Sequence, residues 1–363
     1  MYTNPKAEEY SSVGAMPQKR FKLAKEPLVE LPDLIQPQRD SFKWFVEEGL
    51  KGIFKEFSPI TDYAEKKFEM QFKKYELGSP KCTPEHAKAN KLTYDAPLRA
   101  TVLLKNKTFD SSKDQEIFLA DIPVMTDHGT FIINGVERVV VPQLARSYGI
   151  FFTSQELKGK TYFGAKVIPA RGAWIEIESE ADGIIYIKID RKKKVPVTSL
   201  LRVLGVEKDE DMIKLFSDVE RGEEYIKATL EKDPAKTTDD AYIEVYKRLR
   251  DGDLATVDNA KEFVNSIFAP ERYDLSEIGR HHFNSRFHRP QPKKPEDQRV
   301  VTLEDFRLIL GNIMMLNHTP GSLPDDIDHL GFRRVRYFGE MAIQRVRVGM
   351  TRMKRNIQDR MST

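Results

Sequence analysis

The sequence predicts an α+β protein of more than one domain. Three observations predict it. A chain of 363 residues is longer than one hydrophobic core ordinarily serves and is long enough for two or three domains. A block of alternating apolar and polar segments, rich in β-branched residues, fills the stretch before Thr198. Segments with a helical period stand before and after that block.

The elements follow in order. The first twenty residues are polar with no period and read as a mobile leader, with order expected from about Phe21. PDLIQPQRDSFKWFVEEGLKGIFKEF places Phe42, Phe45, Val46, Leu50, Ile53 and Phe54 on one face, which predicts a helix from about Gln36 to Phe57. FEMQFKKYELG and LRATVLLKNKTF alternate like half-buried strands, with GSPKCTPEHAKANKLTYDAP between them read as a loop. EIFLADIPVM and TFIINGVERVVVPQL are further strands punctuated by Gly129 and Gly135, and Asp182-Gly183 forms a hairpin turn between two alternating segments. From Thr198 the period becomes helical in SLLRVLG, DEDMIKLFSDV, AYIEVYKRLRDG and VDNAKEFVNSIF. RHHFNSRFHRPQPKKPEDQRVV reads as a surface connection, and Thr302 caps a helix in TLEDFRLILGNIMML. The terminal segment sets Val346, Met350, Met353, Ile357 and Met361 on one helical stripe. It stops without Gly or Pro punctuation, which suggests truncation.

Composition narrows the function classes. Hydrophobic residues at 40% beside charged residues at 32% fit a soluble protein, and no apolar run reaches the ~20 residues that span a bilayer. No secretory signal is visible, so the cytoplasm is the expected compartment. The lone Cys82 excludes an internal disulfide and a thiolate zinc site. The net charge of +3 is unevenly spread: residues 331–363 carry nine Lys or Arg against Glu340 and Asp359, leaving the rest of the chain slightly acidic. No Walker A loop, G-x-S-x-G elbow or H-E-x-x-H occurs. His281, His282 and His288 cluster without cysteine or carboxylate at ligand spacing, and PDDIDH does not meet the EF-hand pattern. No metal site or catalytic residue is expected.

Four stretches are specific: DIPVMTDHGTFIINGVERVVVPQLARSYGIFF, the pair IPARGAWIEIE and IYIKIDRKKKVPV, RYDLSEIGRHHFN, and DDIDHLGFRRVRYFGEM. Together, in order and over most of the chain, they resemble the amino-terminal portion of the bacterial RNA polymerase β subunit. The resemblance implies a multidomain α+β architecture: a discontinuous mixed α/β protrusion domain (residues 21–130 and 337–363) with an inserted α+β lobe domain (residues 131–336). By the same resemblance the two are expected to form one jaw of the DNA cleft. The short Leu204–Ala241 segment leaves no room for the large lobe insertion of some relatives. The resemblance also implies DNA contacts. Arg146, Asp328 and Arg333 match positions lining a pocket for one unstacked guanine of the non-template strand. Trp174 and Asp190 match neighbouring single-strand contacts, as Arg250 does less closely. Arg138, Val141 and Gln143 match the periphery of the rifamycin pocket, where Pro142 departs from the serine common in relatives, as Phe332 does from a more polar residue. The implied partners are the β′, α and ω subunits, a sigma factor, the remainder of β, and promoter and downstream DNA. The Mg²⁺ of phosphoryl transfer is implied in β′, so this chain alone is expected to be inactive.

The residue chemistry agrees. An indole stacks on bases, guanidinium groups meet phosphates and base edges, and a carboxylate accepts from guanine N1–H and N2–H. Plainer readings stand beside these. Trp174 fits an ordinary core position, Asp328 a turn cap, Arg146 an internal ion pair, and Arg191 to Lys194 a solvated hairpin end. An independent hydrolase or nuclease lacks acid clusters to support it. A stand-alone regulatory or RNA-binding paralogue of the same region is the alternative function.

Overall fold

The computed structural model describes residues 32–157, 159–219, 225–250, 256–292, 294 and 298–362; the leader and the expected start of order at Phe21 lie outside them. In the first unit, α1 (Gln36–Trp44) and α2 (Leu50–Glu56) are joined by a π-helical turn over Phe45–Gly49. The helix expected there is thus continuous, with a wider turn inside it. The chain then enters a four-stranded antiparallel sheet in the order β1 (Ile60–Thr61), β2 (Phe68–Leu77), β3 (Asp95–Asn106), β4 (Ser111–Pro123). On β3 the residues Ala96, Leu98, Ala100 and Val102 are buried at every second position, as a sheet with one covered face requires. The loop expected between β2 and β3 contains a helix, α3 (Pro84–Ala89). Thr83 caps it by accepting from the His86 N–H at 3.3 Å, and Pro84 opens its first turn.

A hairpin, β5 (Phe131–Ile133) and β6 (Val136–Arg138), leads to β7 (Gln143–Arg146) and into the second unit. There β8 (Gly149–Leu157), β9 (Lys160–Ile168), β10 (Ile175–Ser179), β11 (Ile185–Ile189) and β12 (Val195–Pro196) form an antiparallel meander in sequence order. Asp182-Gly183 turns β10 into β11 as expected, with Gly183 at φ +77°. One face of the sheet supplies Phe152, Ala165, Val167, Ile175, Ile177, Ile185 and Ile187 to a core shared with a helical layer. That layer comprises α4 (Val197–Val203), α5 (Asp209–Phe216), α6 (Tyr225–Lys232), α7 (Thr238–Leu249), α8 (Val257–Ile267), α9 (Ser276–Arg286) and α10 (Leu303–His318).

Helix α9 corrects the surface connection expected at RHHFNSRF. It packs on β8 and buries Arg280, whose guanidinium meets the Asp305 carboxylate at 3.0 Å through both oxygens. Asp305 also completes the capping box of Thr302, so one buried acid caps the start of one helix and anchors another.

The chain returns through a 3₁₀ turn (Leu330–Phe332) and β13 (Arg333–Arg336) to α11 (Phe338–Ser362). The apolar stripe expected on α11 does pack: Val346, Met350 and Met353, with Ile343, join Phe45, Leu50, Ile53, Phe54 and Leu98, while Ile357 and Met361 lie beside Ile60, Met70 and Val102. The first and last segments therefore share one core, and the second unit is inserted between them. Close approach is possible because residue 339 is glycine: a Cβ there would lie 2.4 Å from the Ser41 carbonyl oxygen.

Candidate nucleic-acid interface

Both chain passages between the two units run through one antiparallel ribbon. Strands β7 and β13 pair with Arg146 opposite Arg333, Ala145 opposite Arg334, Leu144 opposite Val335 and Gln143 opposite Arg336. Since alternate residues share a face, Arg146, Arg333, Leu144 and Val335 line one side and Ala145, Arg334, Gln143 and Arg336 the other.

The second side is turned toward α11. Arg334 binds the Glu340 carboxylate and the Tyr148 hydroxyl, lies 4.2 Å from the Tyr148 ring centroid, and is joined on Glu340 by Arg336 at 3.1 Å. Burial pushes the Tyr148 phenol up to about 12. Burial also pushes Glu340 upward, but the hydrogen bonds and charge of Arg334, with Tyr148 and Arg336, outweigh it and hold the carboxyl below its ordinary range.

The first side has the opposite character. Leu144 and Val335 are exposed at 49% and 46%. Arg146 and Arg333 are only half-buried, and among the described residues neither has an acidic partner or a side-chain hydrogen bond. Like charges directly opposite each other on a ribbon repel, and no acid among the described residues offsets this pair. The internal ion pair considered for Arg146 is not formed.

Asp328 lies in the loop that enters the ribbon. Asp326 accepts from the Asp328 N–H at 3.0 Å, and His329 Nδ1 accepts from the Gly331 N–H at 3.0 Å. These neighbours do the turn-capping considered for Asp328. Its own carboxylate is exposed and has no side-chain partner among the described residues.

Strand register places further candidates. Gly149 pairs with Ile168, and Ile175 with both Val167 and Ile189, so the start of β8, the end of β9, the start of β10 and the end of β11 lie at one end of the sheet. Trp174, just before β10, and Asp190, just after β11, emerge there together, with the Asp190 N–H on the Trp174 carbonyl at 2.7 Å. Arg191 lies 5.3 Å from the Trp174 ring centroid, and the indole is half-buried rather than a core residue. Arg146, three residues before β8, leaves from the same end. Arg250 belongs instead to the helical layer, closing α7 with its guanidinium 4.7 Å from the Phe263 ring centroid. In the strip running into the ribbon, Arg138 ends β6, Val141 is 62% exposed, and Gln143 donates to the Val141 carbonyl at 3.2 Å. Sequence reading missed Arg334, Tyr148 and Glu340; strand alternation puts Arg334 and Arg336 of RRVR on one face, but nothing local tells which face meets an acid.

Among the described residues no group of three His, Cys, Asp or Glu side chains is placed to hold a metal ion, and no helix is long and apolar enough to cross a membrane. Residues 146–336, more than half of the chain, match the family model described as RNA polymerase Rpb2, domain 2, and the chain belongs to that family. It is similar to the protein named DNA-directed RNA polymerase subunit beta of Chloroflexus aggregans, 42% identical with 92% of this chain aligned. The like-named protein of Syntrophomonas wolfei is 41% identical over 98% of this chain, and that of Geobacillus thermodenitrificans 36% over 96%. The match is to a bacterial β subunit, of which this chain resembles the amino-terminal portion. The aligned region spans 30%, 31% and 36% of those relatives' lengths.

Proposed function

We propose that this chain is a DNA-gripping part of a DNA-directed RNA polymerase, contributing one jaw of the DNA cleft and no catalytic residue. In this reading the first unit with its returning helix is the protrusion (residues 21–130 and 337–363), and the inserted unit is the lobe (residues 131–336). The observation that carries it is the cross-strand pair Arg146 and Arg333, directly opposite in register and without an acidic partner among the described residues, beside an exposed Asp328 carboxylate. The arginines meet phosphate or guanine O6 and N7, while the carboxylate accepts from guanine N1–H and N2–H. Trp174 offers a stacking face to the single strand, Asp190 and Arg191 flank it, and Arg250 makes a further contact to the single strand. Arg138, Val141 and Gln143 form the edge of a rifamycin pocket completed by the remainder of β. The partners are β′, α, ω and a sigma factor in the cytoplasm, with Mg²⁺ chemistry supplied by β′.

The test has two parts. Binding of the chain to single-stranded DNA is expected to be weak and to fall steeply with salt, because phosphate neutralisation releases counterions. In polymerase reassembled around this chain, Asp328→Ala is expected to reduce preference for guanine over adenine in the non-template strand by about fivefold or more. Tight binding at high salt, or the absence of any base preference in the unmodified enzyme, would sink this reading.

A further inference from the structure

The loop that carries Asp328 is fastened to the edge of the five-stranded sheet by a residue with no assigned role. The Asp325 N–H donates to the Phe152 carbonyl at 2.9 Å, and the Asp325 carboxylate accepts the Phe152 N–H at 2.8 Å. One residue therefore satisfies both backbone groups of Phe152 on edge strand β8, as a neighbouring strand would. The other carboxylate oxygen takes Arg286 Nη1 at 2.7 Å, and the Arg286 guanidinium lies 5.2 Å from the Phe152 ring centroid. Asp325 is only 10% exposed and Phe152 is fully buried. Downstream, the Ser147 N–H donates to the Phe332 carbonyl at 2.8 Å, fastening the far end of the loop to the start of the sheet. Asp328 stands between these two fixed points, three residues beyond the first.

We propose that Asp325 and Arg286 are positioning residues: they touch no DNA, but they set the place of the Asp328 carboxylate and so the discrimination for guanine. The proposal rests on the reading of Asp328 given above. A carboxylate that accepts two N–H groups of one base edge must be held in place, and an unfastened loop presents the same charge without the same geometry. Asp325 provides the fastening because its buried carboxylate holds a backbone amide and a cation at once. Losing its charge strands Arg286 and weakens the hold on Phe152.

The experiment measures affinity of the reassembled polymerase for non-template strands carrying guanine or adenine at the preferred position. It compares the unmodified enzyme, Asp325→Asn, Arg286→Met, Arg286→Lys, Asp328→Ala and the Asp325→Asn/Asp328→Ala double variant. Asp325→Asn and Arg286→Met are expected to lose about fivefold or more of the guanine preference while leaving adenine-strand affinity and its salt slope unchanged. Arg286→Lys, which keeps a cation at Asp325, is expected to restore part of the preference. In the Asp328→Ala background, Asp325→Asn is expected to add nothing, because its effect passes through Asp328. Equal losses on guanine and adenine strands, or additive losses in the double variant, would mean a merely structural role and overturn the proposal. If Asp328→Ala abolishes the preference and neither Asp325→Asn nor Arg286→Met changes it, only the positioning role falls. If the unmodified enzyme has no preference, the reading of Asp328 falls and this inference with it.

Discussion

At the scale of single residues, what separates the two faces of the β7–β13 ribbon is whether each charge has a partner. Arg334 and Arg336 share Glu340, whereas Arg146 and Arg333 share nothing among the described residues. Glu340 is the acid that keeps the inner face together, and its carboxyl sits below the ordinary value of 4.5 because Arg334 and its neighbours outweigh burial. A carboxylate depressed in the folded state contributes stability that is complete above its unfolded pKa and is lost as pH falls through the lower folded value. Glu340→Gln is therefore expected to destabilise the chain at pH 7 by about 1–3 kcal/mol, since two half-buried guanidinium groups lose their counter-charge. It is also expected to flatten the decline of stability below pH 4.5. Urea unfolding of both proteins at neutral and acid pH checks this. An equal deficit at both pH values would show that Glu340 acts by packing alone. None of this was legible in the sequence, because RRVR announces four positions and not which of its arginines meets an acid.

At the scale of elements, the hairpin between β11 and β12 is built against local preference. Asp190 and Arg191 have φ of +53° and +57°, and the Lys192 N–H closes the turn on the Ile189 carbonyl at 3.1 Å. This is the geometry for which Asp-Gly is favoured. A non-glycine residue in the left-handed region costs about 1–2 kcal/mol, and the stacking of Arg191 on Trp174 returns about 0.5–1 kcal/mol. Arg191→Gly is accordingly expected to raise the urea midpoint slightly. In the same variant, affinity for single-stranded DNA falls and its logarithmic salt slope drops by about 1, one phosphate contact fewer. A midpoint that falls would show that the cation–π contact outweighs the strain. Most strands and helices were legible because apolar period and caps agree, as at Thr302; β1, β13 and α6 were not. Helix α9 was not, because its inward side sets Arg280 and Asn284 beside a single aromatic, Phe283, in place of an aliphatic stripe. Their burial is supported by Asp305, remote from the helix in sequence, and by the Pro290 carbonyl just past its end. The cross-strand pairing of Arg146 with Arg333 was hidden for the same reason: it joins the two passages of an inserted unit, and no local pattern records such a register.

At the scale of the whole molecule, two cores are joined by a narrow ribbon, so their relative placement depends on a few contacts beyond it. One side chain stands out. Glu56, at the end of α2, holds Arg347 of α11 at 3.1 Å and Arg171 of the inserted unit at 3.2 Å. All three side chains are between 23% and 32% exposed. Exposed ion pairs contribute little singly, but here one partly shielded carboxylate serves two guanidinium groups that belong to different units. The bond to Arg347 stabilises the first core, and the bond to Arg171 ties the sheet end bearing Trp174 and Arg146 to that core. Glu56→Gln is thus expected to weaken both, by about 1–2 kcal/mol in sum, and with unequal consequences. The inserted unit keeps its own core of Phe152, Ile177, Ile187, Phe306 and Leu310 and so its own unfolding temperature. The first unit, which closes only when α11 packs back on α1 and α2, is expected to melt earlier. Calorimetry of the chain then shows the two transitions drawing apart in the variant relative to the parent. Arg171→Met, which removes the contact between units together with the Arg171 hydrogen bond to the Pro270 carbonyl, is expected to separate the transitions while leaving the Arg347 pair in place. If both variants shift the transitions together without separating them, Glu56 stabilises the first unit alone, and the ribbon by itself sets how the two units stand to one another.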